Sequence, residues 1–187
     1  MDPIVEAALR KWPHVPHCYG WLALDARGQW YMRDERVQSA GPFPQVKGSL
    51  IRHEKLLGFI HRNYGRDASG AAFFQNGPQR VYVELEATPW VWRVDGRPGA
   101  WNVSAHTGTA TTVNSCWLDE QGRLYLDTPL GLGIVHSQDM LHAADAIEAG
   151  DWTPLPCTAG ELPARFGFVR QPKATDTAPA TGHPGGA

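Results

Sequence analysis

AAFFQNGPQRVYVELEATPWVWRVD, residues 71–95, is the stretch whose reading decides the fold. Asn76-Gly77-Pro78 is a turn, because Asn and Gly accept a positive φ and Pro presets its own. The run that follows alternates, with Val81, Val83 and Leu85 on one face and Arg80, Tyr82, Glu84 and Glu86 on the other. That is the period of a strand with one side in a core. Thr88-Pro89 marks a second break, after which Trp90, Trp92 and Val94 fall on one side and Val91 and Arg93 on the other. Three consecutive antiparallel strands are predicted. If Thr88-Pro89 alone form the second loop, Leu85 faces Trp92, Val83 faces Val94, and Glu84 lies across from Arg93. A longer loop beginning at Ala87 would put both indoles on the acidic face. Full burial of one large apolar side chain is worth roughly 1.5–3 kcal/mol, which favours the first register. Arg80, Tyr82, Glu84, Glu86 and Arg93 then form one polar sheet face, the expected binding surface.

Working outward, residues 21–32 (WLALDARGQWYM) read as a hairpin around Asp25-Ala26-Arg27-Gly28, with Gly28 at the position needing positive φ. The pattern recurs at a constant offset: Asp119, Gly122, Tyr125 and Leu126 repeat Asp25, Gly28, Tyr31 and Met32. Either a hairpin-plus-helix unit is duplicated, or two hairpins share one turn grammar. A helix capped by Ser49 carries the stripe His53, Leu56, Leu57, Ile60 and Tyr64. A second, capped by Ser137, spans 138–149 with Met140, Leu141, Ala144 and Ile147 inward. Asp2 and Pro3 open a short N-terminal helix, and 166–169 is a last strand candidate. The expectation is an α+β fold of antiparallel sheets with two main helices and an internal repeat. It would form one domain over residues 1–170, with possible subunits 14–105 and 113–170. The polar remainder, 171–187, has no large apolar residue and is expected to be a disordered tail.

Composition removes several function classes. A net charge of -2 and a pI near 6.4 supply no basic excess for nucleic acid. The opening MDPIVEAALRKWP is charged and amphipathic, so neither a signal peptide nor a membrane span is expected, and the location is expected to be cytoplasmic. Cys18, Cys116 and Cys157 are odd in number and widely spaced, which argues against disulfides and a cysteine zinc site.

No motif carries a reaction by itself. His14, His17 and Cys18 form H-x-x-H-C, but on an extended segment with no second ligand cluster, so no metal and no cofactor is expected. There is no G-x-S-x-G elbow and no Gly-rich phosphate fingerprint. Eight tryptophans are unusual for this length, and Trp21, Trp30 and Trp117 are assigned to the core.

The hairpin at 21–32, the helix HEKLLGFIHRNY at 53–64 and FFQNGPQRVYVELEATPWV at 73–91 together resemble an uncharacterised family of proteobacterial proteins, a domain of unknown function, over residues 1 to about 150. The D-x-x-G hairpin followed by a helix also resembles another uncharacterised bacterial family, built from repeated α+β motifs and suggested to act in signalling. Neither resemblance implies a substrate or a catalytic residue. The function expected is a non-enzymatic module that binds a small molecule or a protein. The alternative is a hydrolase-like enzyme in which Glu84 or Glu86 works with a histidine brought near by folding.

Overall fold

The computed structural model describes residues 1–174. In chain order the elements are α1 (Pro3–Lys11), β1 (Cys18–Leu24), β2 (Trp30–Met32), α2 (Glu35–Ala40), β3 (Ser49–Leu50), α3 (Glu54–Arg62), β4 (Tyr64–Arg66), β5 (Ala72–Asn76) and β6 (Gln79–Leu85). There follow β7 (Trp90–Arg97), β8 (Ala100–Ala105), β9 (Ala110–Thr111), β10 (Ser115–Leu118), β11 (Leu124–Thr128), β12 (Gly131–Val135), α4 (Met140–Glu148), β13 (Pro154–Pro156) and α5 (Leu162–Phe166). The class is α+β. The strands form a six-stranded sheet, β3-β2-β1-β6-β5-β4, and a seven-stranded sheet, β13-β10-β11-β12-β7-β8-β9. Both are mixed: β1 with β6, β10 with β13 and β12 with β7 run parallel.

β5 and β6 pair as an antiparallel hairpin, as the alternation predicts. β6 and β7 do not pair. Between them, at residues 86–89, the chain crosses from one sheet to the other, so neither register of the expected second hairpin exists. Thr88 is buried at the crossing; its hydroxyl donates to the Trp90 carbonyl (2.7 Å) and accepts the Ile134 N–H (2.9 Å). Trp90, Trp92 and Val94 do share one buried face, but they pack with Leu124, Leu126 and Ala143 in the second sheet's own core. Their indole N–H groups donate to Leu130 O and Leu126 O, both at 2.8 Å. Gly133 lies under them, where any Cβ would collide with the Trp92 indole. Residues 90–111 thus contribute three strands to the second sheet. Leu24, Val83 and Leu85 from one sheet meet Val91, Tyr125 and Ile134 from the other in a shared core.

The helices depart from their expected phase at the ends. Ser49 pairs with Met32 as part of β3, and His53 caps α3 by accepting the Leu56 N–H (3.3 Å). α4 is led in by a 3₁₀ turn capped by His136, and it buries Ala143 and Ala146 while Leu141 stands 79% exposed. Residues 35–40 form α2, whose N-cap Asp34 accepts the Val37 N–H. The strand expected at 166–169 is reduced to one bridge, Ala71 to Val169. Of the expected disordered tail, Pro172 is buried and Gln171 donates to Phe43 O (3.4 Å). Residues 175–187 lie outside the described residues.

The two D-x-x-G turns have the same conformation. Asp25 Oδ1 accepts the N–H of Arg27 and Gln29, and Asp119 Oδ1 that of Gln121 and Arg123, all at 2.9 Å. Tyr31 and Tyr125 each donate to the other carboxylate oxygen. Gly28 and Gly122 have φ of 76° and 74°. Asp67-Ala68-Ser69-Gly70 repeats these contacts with Tyr82 as the hydroxyl donor, so the turn alone is shared grammar. The stronger parallel between the halves is topological, because β2-β1-β6 and β11-β10-β13 are both a hairpin whose first strand pairs with a later parallel strand. A cross-brace closes each: Ala26 N–H to Glu86 Oε2 in one, Ala159 N–H to Glu120 Oε2 in the other.

A Cβ on Gly122 would meet nothing within 4 Å, whereas one on Gly28 would sit 3.0 Å from His106 Cβ. Gly122→Ala should therefore cost only the left-handed backbone penalty, about 1 kcal/mol, and Gly28→Ala measurably more. Urea unfolding of both variants reads this directly, and equal losses would show that the first turn moves freely off His106.

Candidate functional site

β6 points Val83 and Leu85 into the core, so Arg80, Tyr82, Glu84 and Glu86 share the outer face of the first sheet as the alternation requires. Arg93 is not with them. It lies on the second sheet and holds Asp139 through Nε (2.6 Å) and Nη2 (3.0 Å). Each of the other four is engaged internally. Arg80 lies over the Phe73 ring (4.4 Å), and Tyr82 stacks on Tyr19 (4.7 Å between centroids) while donating to Asp67 (2.9 Å). Burial works against ionising Asp67, but its hydrogen bonds from Ser69, Tyr82 and Ala71 outweigh that and hold its carboxyl below the usual range. Glu84 is ion-paired with Arg33, which is 2% exposed and also donates to Val46 O and Gly41 O. Glu86 accepts Ala26 N–H (3.2 Å) and Lys47 Nζ (3.3 Å), and Lys47 also reaches Asp25 (3.2 Å). Among the described residues the partners of the Glu84 and Glu86 side chains are Arg33, Ala26 and Lys47, and no histidine hydrogen-bonds to either.

Several of the described histidines make structural contacts. His14 and His17 are exposed, and His17 meets Tyr82 edge-on at 5.8 Å. Among the described residues no three His, Cys, Asp or Glu side chains converge to hold a metal ion. Trp30 donates its indole N–H to His61 Nε2 (3.0 Å), and the His106 ring lies 5.6–6.0 Å from those of Tyr64, Trp30, His61 and Trp90. His106 Nδ1 accepts the Val91 N–H (3.3 Å), which puts its own proton on Nε2, a buried donor with no acceptor among the described residues. Burial and the neighbouring His61 lower its pKa to about 3. His61 is lowered by burial as well.

Tyr82 and Glu86 each line an open cleft, of about 540 and 550 Å³ respectively, and a further opening lies on the other side of the sheet. Between α3 and the inner face of the first sheet runs a groove of about 300 Å³, lined by Cys18, Trp21, Leu22, Met32, Ile51, Leu56, Ile60, Phe74, Asn76 and Val81. It is almost wholly apolar. Its mouth is set by a bulge in β1: Cys18 pairs with Val81 but Leu22 with Val83, so β1 spends two extra residues there, with Gly20 at φ 78°. Bulges re-aim side chains, and here Trp21, expected in the core, is 41% exposed beside Met32 at 49%. Trp30 and Trp117 are buried as expected. Gly20 is the signal of the bulge in the residue pattern, because a glycine inside a strand often marks one.

A family model described as "Protein of unknown function (DUF2946)" matches residues 1–173. The chain belongs to this family, DUF2944. The resemblance drawn from the hairpin and helix motifs thus holds at the level of an uncharacterised domain. No curated protein matches. A crystal structure of a DUF1285 family protein from Silicibacter pomeroyi DSS-3 is similar at 12% identity and a TM-score of 0.48, covering 78% of this chain and 84% of that one.

Two outcomes follow from this geometry. Glu84→Ala would strand the buried Arg33 guanidinium and should cost about 3–5 kcal/mol, the usual penalty for breaking a buried pair; a chemical denaturation midpoint near wild type would place Arg33 in water. His61 and His106 are neutral when folded and take protons more readily once unfolded, near the ordinary 6.5. Their contribution is therefore complete above pH 6.5 and is lost as pH falls toward the folded value, by roughly 2 kcal/mol at pH 5 for His106 alone. His106→Gln, whose amide oxygen can accept the Val91 N–H, should lose less stability than wild type between pH 7.5 and pH 5. Parallel losses would mean that His106 is already solvated.

Proposed function

We propose that this protein is a non-enzymatic binding module that holds the apolar chain of a small anionic amphiphile in the groove between α3 and the first sheet. The observation that carries the reading is an apolar concavity with a partly exposed tryptophan and methionine at its mouth. Ligand sites are mostly apolar hollows with a few polar groups fixing orientation, and adjacent exposed apolar side chains mark contact surfaces. The sign of the head group comes from α3. Arg52 and Lys55 flank Glu54 at its start, all three exposed and none in an ion pair among the described residues, which leaves a net charge of +1 there. The helix N-terminus itself favours negative charge.

Cys18 reports on occupancy, because it is half-exposed in the groove while Cys116 and Cys157 are buried and their thiols pushed toward higher pKa by burial. Decanoate should slow alkylation of Cys18 in a saturable way and change the Trp21 emission. Decylamine, with the same chain and the opposite charge, should protect less, and Met32→Glu, at a position that tolerates polarity, should abolish the effect of decanoate. An unchanged Cys18 alkylation rate at millimolar decanoate would refute the reading.

A further inference from the structure

A second cleft, on the far sheet, has a different chemistry. It encloses about 290 Å³ where the β7–β8 turn approaches the end of α4, and its walls include Trp101, Trp152, Thr111, Thr112 and Asp151. Trp152 is buried at 8% exposure and its ring centroid is 6.2 Å from that of Trp101. Trp101 is held in place: its indole N–H donates to Asp151 Oδ2 (2.8 Å), which also accepts the Gly99 N–H (2.7 Å), and His142 packs against its ring at 6.5 Å. These contacts use one oxygen of the carboxylate. The other has no partner among the described residues, and Asp151 forms no ion pair there. Neither Lys, Arg nor His lines the cleft, so its only formal charge is negative. The Gly99 and Trp101 N–H groups also hold the Asp151 carboxyl below its usual range, so it is ionised at neutral pH.

A preset indole face beside an unpaired carboxylate attracts one class of ligand above others. Cations are drawn to the negative face of the ring, and an alkylated ammonium, weakly hydrated and apolar on its outside, gives up little by leaving water. The volume is near the lower limit for ligand pockets, enough for one small head group. Neutral sugars would also stack on the indoles, with Thr111 and Thr112 as hydrogen-bond partners, but they would leave the charge of Asp151 uncompensated. We propose that the cleft formed by Trp101, Trp152 and Asp151 binds a small organic cation of the quaternary or alkylated ammonium class.

The test is a titration of the full chain with choline chloride, followed through the indole N–H signals in ¹H–¹⁵N spectra, with the Trp101 signal assigned by its absence in Trp101→Phe. Sodium chloride at equal ionic strength is the blank, 3,3-dimethylbutan-1-ol the neutral isostere, and methyl β-glucopyranoside the sugar. Choline alone should move the Trp101 signal in a saturable way. Asp151→Asn keeps a side-chain oxygen for the Gly99 and Trp101 N–H groups and removes only the charge, so it should weaken choline about tenfold with the backbone spectrum intact. In the wild-type protein choline affinity should also fall as salt is raised, since the pair is exposed to screening; this second measurement stands if the variant unfolds. Equal binding of the neutral isostere, preference for the glucoside, or choline affinity insensitive to salt would each overturn the assignment.

Discussion

The buried crossing at residues 86–89 is the constraint on which the rest of the structure depends. A chain passing from one sheet to another through a core has backbone groups that water cannot reach, and they must be satisfied by protein. Here Glu86 N–H donates to Leu24 O, the Thr88 hydroxyl serves Trp90 O and Ile134 N–H, and Pro89 O takes the Tyr64 hydroxyl at 2.6 Å. Pro89 has no N–H to satisfy. With those groups paired, β6 can end one sheet's run and β7 begin the other's, and Val91 is set against Val83 and Leu85 in the shared core.

Around that crossing the aromatic residues pack as a joint between the layers. Trp30 from the first sheet, Tyr64 from β4, Trp90 from β7 and the His61 and His106 rings all meet there, with Trp30 and Tyr64 edge-to-face at 5.3 Å. The heteroatoms are mostly paired, by Trp30 to His61, Trp90 to Leu130 O and Tyr64 to Pro89 O. His106 Nε2 is the exception among the described residues, which makes this joint one place where protonation acts on stability.

The same economy runs through the two faces of the first sheet and the far end of the second. On the outer face of the first sheet the charged groups are consumed by the loop at residues 41–47 and by the D-x-x-G turns: Arg33 holds that loop and Glu84, and Lys47 joins Asp25 to Glu86. On the inner face α3 covers only part of the sheet, and the bulge in β1 leaves an apolar opening beside it. At the far end of the second sheet Asp151 fixes Trp101 and keeps one carboxylate oxygen unpaired among the described residues. No helix among the described residues is long and apolar enough to cross a membrane.

Local chemistry was legible in the residues alone. The alternation of 80–86 placed Val83 and Leu85 inward and Tyr82 and Glu84 outward, the D-x-x-G pattern located both glycines at positive φ, and the 3-4 spacing found α3 and α4, because each of these depends on neighbours a few positions away. What the sequence could not show was how the hairpins are joined into two sheets. Thr88-Pro89 breaks a strand equally well as a hairpin loop or as a crossing between sheets, and only the hydroxyl of Thr88 meeting Ile134, 46 residues away, decides between them. The partners of Glu84 and Arg93 followed from that choice, so two charges expected to face each other went to Arg33 and Asp139. Trp21 and Trp101 became parts of clefts for the same reason: their exposure is set by a bulge and by a carboxylate 50 residues distant, contacts that only the tertiary structure creates.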